Sequence, residues 1–289
     1  MSGTINVKGK LLAFDKPLVM GVLNITPDSF YAASRKGAAD DLIATAQGML
    51  DAGAAILDVG ACSTRPAGEP VSEEEELRRL HAALDILDAG LPADSVVSID
   101  TYRSRVVEEC FSKHNVSIIN DVSGFEWDAA MFSTVASLNV PYILTHSVGW
   151  AGDAADYTDF LPDVIRTLSH KVWQLHQAGV KDVIIDPGFG FGKSVEQNYQ
   201  MLVSLPLFKQ LGLPVLAGMS RKSMITKVLG NTPADALAGT VALNMVALQN
   251  GADILRVHDV KEAAEVVELY AMLKEAGAAV GKKDNAYIY

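Results

Sequence analysis

Three hydrogen-bonding side chains stand at the ends of short apolar runs. Val96-Val-Ser-Ile99 ends at Asp100, Val116-Ser-Ile-Ile119 at Asn120, and Val183-Ile-Ile185 at Asp186. A carboxylate only accepts hydrogen bonds, whereas an amide both gives and accepts. Brought together, they would suit a flat heterocycle that shows amino and ring N–H donors beside a carbonyl. Lys222, in Ser220-Arg-Lys-Ser223, could donate to that carbonyl or to a ring nitrogen. Strand-end aspartates can also bind metal or cap neighbouring helices, so the pattern alone leaves those readings open. Arg256-Val-His258 adds a bidentate fork and a second donor two residues apart, which suits an anion.

Two tempting motifs fail on chemistry or spacing. Gly188-Phe-Gly-Phe-Gly192-Lys193-Ser194 is one residue short of both a P-loop and a dinucleotide fingerprint. It remains a glycine-rich turn that lets backbone approach a ligand, with two phenylalanines able to touch a flat ring. A plain βα turn is the alternative. Cys62 lies in a candidate functional loop, but no general base is legible beside it, and a small structural residue is the simpler reading.

These residues are far apart in sequence, so an architecture must gather them. Eight β-branched-rich runs alternate with helical patterning: Leu18–Leu23, Ala55–Val59, Val96–Ile99, Val116–Ile119, Tyr142–Leu144, Val183–Ile185, Val215–Ala217 and Ile254–Leu255. That alternation predicts a single-domain α/β fold, a (β/α)8 TIM barrel, whose C-terminal strand ends share one rim. The expected layout is an N-terminal lead-in over 1–17, with a hairpin as one reading, the barrel over 18–276, and a disordered tail over 277–289. Ser72 with Glu75 predicts a capping box, and Thr232-Pro233 predicts another helix start. Gly53, Gly179 and Gly251 are expected to end helices. The long rim loops Thr26–Gly37, Ala61–Ser72 and Ser147–Phe160 are expected to be functional.

Bulk properties agree. A chain of 289 residues fits one barrel, which needs ~250. A net charge of −11 argues against a nucleic-acid partner. Arg65, Arg221, Lys222, Arg256 and His258 can still make the rim locally positive. Two cysteines are too few for a disulfide scaffold. Met1–Lys10 lacks a secretory apolar region, and Ala236–Ala252 contains Thr240, Asn244 and Gln249, so a cytoplasmic protein with no membrane partner is expected.

Seven segments together resemble dihydropteroate synthase. They are Met20-Gly-Val-Leu-Asn-Ile-Thr-Pro-Asp-Ser-Phe30, Asp58-Val-Gly-Ala-Cys-Ser-Thr-Arg-Pro66, Ser98-Ile-Asp-Thr101, Ile119-Asn-Asp-Val-Ser-Gly124, Asp186-Pro-Gly-Phe-Gly-Phe-Gly-Lys193, Gly218-Met-Ser-Arg-Lys222 and Arg256-Val-His-Asp-Val260. They span most of the chain in family order. The resemblance implies condensation of 6-hydroxymethyl-7,8-dihydropterin pyrophosphate with p-aminobenzoate, a step of folate synthesis. It implies that Asp100, Asn120, Asp186 and Lys222 hold the pterin, and that Arg256 stacks on it and binds the pyrophosphate with His258. It implies an aminobenzoate site of Thr64, Arg65, Pro66, Phe30, Phe191 and Ser220. Asn24 would ligate Mg²⁺, Asp28 would organise the first loop, and the protein would be a homodimer. Asp28, Arg65, Lys222, Arg256 and His258 are the residues expected to act at the reacting centre.

Three loops depart from the family pattern. Tyr31-Ala-Ala-Ser34 replaces Ser-Asp-Gly-Gly, Gly60-Ala-Cys-Ser63 replaces Gly-Gly-Glu-Ser, and His146-Ser-Val-Gly-Trp150 replaces His-Met-x-Gly-x. Two other classes stay open: a pterin-binding protein without synthase activity, and a pterin-dependent methyltransferase. The latter would not need Ser63-Thr-Arg-Pro66.

Overall fold

The computed structural model describes residues 3–25, 35–62, 71–148, 157 and 159–284. It opens with a hairpin, β1 (Thr4–Val7) paired antiparallel with β2 (Lys10–Ala13). Lys8 and Gly9 both have positive φ, 50° and 83°, the backbone that a two-residue hairpin turn requires.

Eight parallel strands follow: β3 (Leu18–Asn24), β4 (Ile56–Gly60), β5 (Val97–Asp100), β6 (Ile118–Asp121), β7 (Tyr142–Thr145), β8 (Val183–Asp186), β9 (Leu216–Ala217) and β10 (Ile254–Val257). Their order is β8-β7-β6-β5-β4-β3-β10-β9, and a parallel bridge between Ile185 and Val215 joins the two ends. The result is a (β/α)8 barrel. The main helices between and after the strands are α1 (Arg35–Asp51), α2 (Glu73–Gly90), α3 (Ser104–Lys113), α4 (Met131–Leu138), α5 (Phe160–Gln177), α6 (Val195–Val203), α7 (Leu205–Phe208), α8 (Ser223–Leu229), α9 (Leu237–Gln249) and α10 (Val260–Asp284).

Strand alternation divides the side chains between two cores. One parity, including Val19, Leu57, Val97, Ile119, Leu144, Ile185 and Leu255, packs in the larger core that the helices cover. The other parity gathers Met20, Ile56, Ile118, Ile143, Ile184, Leu216 and Ile254 inside the barrel. Ile5, Val7 and Phe14 pack on this inner cluster, so the hairpin plugs the N-terminal end. Two residues further along the same parity lie Asp58, Asn120, Asp186 and Arg256. The barrel is therefore apolar at its floor and polar towards its C-terminal rim.

Several local expectations need correction. The Oγ of Ser72 accepts from the Glu75 backbone N–H at 3.2 Å, but the Glu75 carboxylate accepts from Arg78 and Arg79 instead of completing a capping box. A full box forms at Ser194 and Gln197. Thr232 precedes a 3-10 helix, Pro233–Asp235, with proline at its start as expected, and α9 begins separately at Leu237. The strand ending at Asp100 begins one residue late, while β6 runs through Asn120 to Asp121 and β10 through Arg256 to Val257. The last helix continues to Asp284, through most of the segment expected to be a disordered tail from Gly277.

Candidate functional site

The polar layer is built by strand register. Gly60 pairs with Asp100, and Asp100 with Asn120, so three neighbouring strands present adjacent groups. A Cβ at Gly60 would lie 3.3 Å from the Asp100 Cβ, so the glycine makes room for the carboxylate beside it. From β10, with β3 between it and β4, Arg256 reaches carboxylates on β4 and β5. Its Nη2 donates to Asp100 Oδ2 at 2.5 Å, and its Nε donates to Asp58 Oδ2 at 2.7 Å. The same Asp58 oxygen accepts from Asn120 Nδ2 at 2.9 Å.

Burial sets the electrostatics. It raises Asp100 to about 7, because the carboxylate is desolvated while Arg256 opposes the shift and Asp58 adds to it. Asp186 is also raised by burial, against the charge of Lys222 and a hydrogen bond from the Gly188 N–H. That bond, to Asp186 Oδ1, is 2.8 Å long. Burial works against the charge on Arg256, but Asp58 and Asp100 outweigh it and raise its pKa.

The loop after β8 forms one wall. Gly188 has φ +77°, and a Cβ there would lie 1.9 Å from the His146 carbonyl oxygen, so this position admits only glycine. Lys222 donates to the Phe189 carbonyl at 2.6 Å and lies 5.1 Å from the centre of the Phe191 ring. Lys193 runs beneath the turn and donates to the carbonyls of His146, Gly188 and Phe191 at 3.0, 2.9 and 2.8 Å. Burial lowers Lys193 to about 7, opposed by Asp186. Neighbouring His146 is pushed down to about 3 by burial, with Lys193 and Lys171 adding to the shift, so its imidazole is neutral.

The adjoining wall follows β9 and β10. Ser220 Oγ lies 3.0 Å from His258 Nδ1 and accepts the His258 backbone N–H at 3.2 Å, which fixes the ring beside Arg256. Arg221 is not a rim cation for an anion. It forks onto Asp259 at 2.9 and 2.7 Å and donates to the carbonyls of Pro233 and Ala234.

The strands thus bring Asp100, Asn120, Asp186, Lys222, Phe191, Ser220, Arg256 and His258 to one end of the barrel. Asn24 is exposed at the end of β3 on the same rim. Asp28, Phe30, Thr64, Arg65 and Pro66 lie outside the described residues. Cys62 is half-buried, with its thiol pKa raised by burial and by Glu76, the reverse of an activated nucleophile. Sequence reasoning missed Asp58 and Lys193 as site-building residues. An aspartate inside the apolar run Ala55–Val59, two places after Ile56, was the available signal for the first.

Acceptors on Asp100, Asn120 and Asp186, a donor on Lys222, and a cation and imidazole at the edge suit a flat donor-edged ring carrying an anionic substituent. No helix among the described residues is long and apolar enough to cross a membrane.

Comparison with known proteins gives consistent results. A family model described as pterin binding enzyme matches residues 20–258. The dihydropteroate synthase of Bacillus subtilis (strain 168) is 39% identical over 279 residues, which cover 94% of this chain and 95% of that protein. A structure of Xanthomonas albilineans dihydropteroate synthase with 4-aminobenzoic acid has a TM-score of 0.84 at 36% identity, covering 95% of this chain and 99% of that one. A Coxiella burnetii dihydropteroate synthase in complex with pteroic acid has a TM-score of 0.82 at 34% identity, covering 94% and 99%.

Proposed function

The chain belongs to the dihydropteroate synthase family of pterin binding enzymes, and we propose that its polar barrel rim is where a dihydropterin CH2–pyrophosphate meets p-aminobenzoate. The products are 7,8-dihydropteroate and pyrophosphate, so the enzyme is a transferase of folate synthesis. The observation that carries the site assignment is the convergence of Asp100, Asn120, Asp186 and Lys222 above an apolar floor.

The acceptors take the amino and ring N–H donors of the pterin, and Lys222 donates to its carbonyl or a ring nitrogen. Phe191 and the Arg256 guanidinium bound the ring. The difficult event is carbon–oxygen cleavage, with charge growing on the departing pyrophosphate. Arg256 and His258 face that charge from fixed positions, which stabilises the transition state more than the ground state. The electron-rich dihydropterin supports positive charge on the methylene carbon. The amine of p-aminobenzoate then attacks that carbon, and its proton passes to solvent. Proximity supplies much of the rate, and no enzyme nucleophile is needed. Phe30, Thr64, Arg65, Pro66 and Ser220 complete the aminobenzoate site in this reading, and Asp28 organises the first loop.

Asn24 offers a hard amide oxygen on the rim, a donor that suits Mg²⁺, which otherwise keeps waters and takes phosphate oxygens. When bound, Mg²⁺ would supply charge neutralisation on the pyrophosphate. A homodimer is also part of the proposal. α9 has Thr240, Asn244, Ala247 and Leu248 buried within the fold. The exposed stripe Leu269, Met272 and Leu273 on α10 supports a second copy packing there.

The deciding assay is purified protein with dihydropterin pyrophosphate, p-aminobenzoate and Mg²⁺. Equal amounts of dihydropteroate and pyrophosphate are expected. Release of pyrophosphate without dihydropteroate, or no reaction, would remove the synthase reading.

A further inference from the structure

We infer that Asp58 is a positioning residue that sets which way Asn120 and Arg256 face in the pterin site. The inference rests on the pterin reading and goes beyond the residues assigned to ligand. Asp58 is fully buried, 0% exposed, in the middle of β4. One of its oxygens, Oδ2, accepts two hydrogen bonds, from Asn120 Nδ2 at 2.9 Å and Arg256 Nε at 2.7 Å, and lies 2.6 Å from the Arg256 Nη2 charge.

The geometry has a directional consequence. A carboxamide can turn over at little steric cost, exchanging a donor for an acceptor. A carboxylate facing it permits only one choice, because it accepts and cannot donate. Asp58 therefore holds the Asn120 NH2 towards β4 and turns the amide oxygen away from it. An acceptor-only partner thus fixes the polarity of a group that could present either sign to a ligand. Arg256 is fixed by the same oxygen. It also bonds Asp100, a residue that the ligand is expected to engage, so Asp58 keeps the guanidinium in place when Asp100 takes a new partner. Oδ1 of Asp58 has no hydrogen-bond partner among the described residues. A buried carboxylate with an unmatched oxygen is costly, and it is the kind of expense found where function sets the geometry.

The test has two arms in the full chain. In the first, selective 15N-asparagine labelling reads the Asn120 side-chain amide without any ligand, assigned by its loss in Asn120→Ala. One of its protons should be shifted downfield and slow to exchange, and Asp58→Ala should abolish both effects. In the second, calorimetry measures phosphate-free 6-hydroxymethylpterin binding across a double-mutant cycle. Asp58→Ala should weaken binding at least tenfold in the wild-type background and by a clearly smaller factor in Asn120→Ala, where only its hold on Arg256 is left to lose. Equal losses in both backgrounds, or an amide signal unchanged by Asp58→Ala, would overturn the inference. A wild-type protein that does not bind the pterin would overturn the pterin reading, and the amide arm alone would then decide the role of Asp58. If Asp58→Ala does not fold, Asp58→Leu fills the space while also lacking an acceptor, and both arms are read on it.

Discussion

Lys193 donates to the carbonyl oxygen of His146 at 3.0 Å, tying the turn after β8 to the end of β7. Its two other carbonyl partners, Gly188 and Phe191, lie within that turn. Lys193→Met would leave the carbonyls of His146 and Phe191 without this donor, while Gly188 keeps the Phe191 N–H at 3.1 Å. Each unmatched group costs ~1–3 kcal/mol, so we expect a folded protein that is destabilised by ~2–4 kcal/mol and binds pterin more weakly. Denaturant titration and calorimetry check both. An unchanged midpoint would mean that the turn holds itself.

Asp100 should make pterin binding pH-dependent. Burial raises its folded pKa to about 7 from 3.8. Between those values the folded state holds a proton that the unfolded chain has released. The stability this contributes is therefore lost as pH rises through about 7. Pterin N–H donors require the carboxylate, so affinity should rise over the same range and binding near about pH 6.5 should release up to one proton. Calorimetry in buffers of different ionisation enthalpy counts it. Asp100→Asn should eliminate the release, and Lys193→Met should keep it. The opposite pattern would assign the proton to Lys193.

Asp186→Asn should weaken pterin binding while leaving the barrel intact. The amide replaces a two-oxygen acceptor with one acceptor and a misplaced donor, a mismatch of ~1–3 kcal/mol. That corresponds to roughly 5- to 150-fold in affinity. Calorimetry with a pterin ligand measures it, and equal affinity in a folded variant would place Asp186 outside the site.

Chelation should separate two stages. If metal acts only through the pyrophosphate and Asn24, a chelator abolishes turnover but barely alters binding of a phosphate-free pterin. Asn24→Ala should raise the Mg²⁺ concentration needed for half-maximal rate. A phosphate-free pterin that also needs metal would contradict this arrangement.

Much of this site was legible because a β-strand has a period of two and a barrel has a single polar end. Asp100, Asn120 and Asp186 each follow an apolar run, and that placement alone sent them to one rim. Asp58 was hidden because the run containing it continues through Val59 to Gly60, so no strand end marks it. Its partners, Asn120 and Arg256, lie 62 and 198 residues away. Such pairs follow from closure of the barrel, which local patterning does not encode. Arg221 shows the converse error. Its neighbours in sequence suggested an anion site, but the fold brings Asp259 alongside and uses up its fork. The Ser72 box failed for a local reason: Arg78 and Arg79 compete for the Glu75 carboxylate and win it.

The barrel closes where β8 meets β9, through the bridge between Ile185 and Val215, whereas every other pair of neighbours shares at least two registers. A hoop fastened lightly at one point opens there first. Asp186 stands on one side of that fastening, and Lys222 follows the strand on the other. A ring gripped by both bridges the joint from above and works as a clasp. Ligand protection against hydrogen exchange should then concentrate in 183–186 and 215–217, so that the substrate itself tightens the cylinder that holds it.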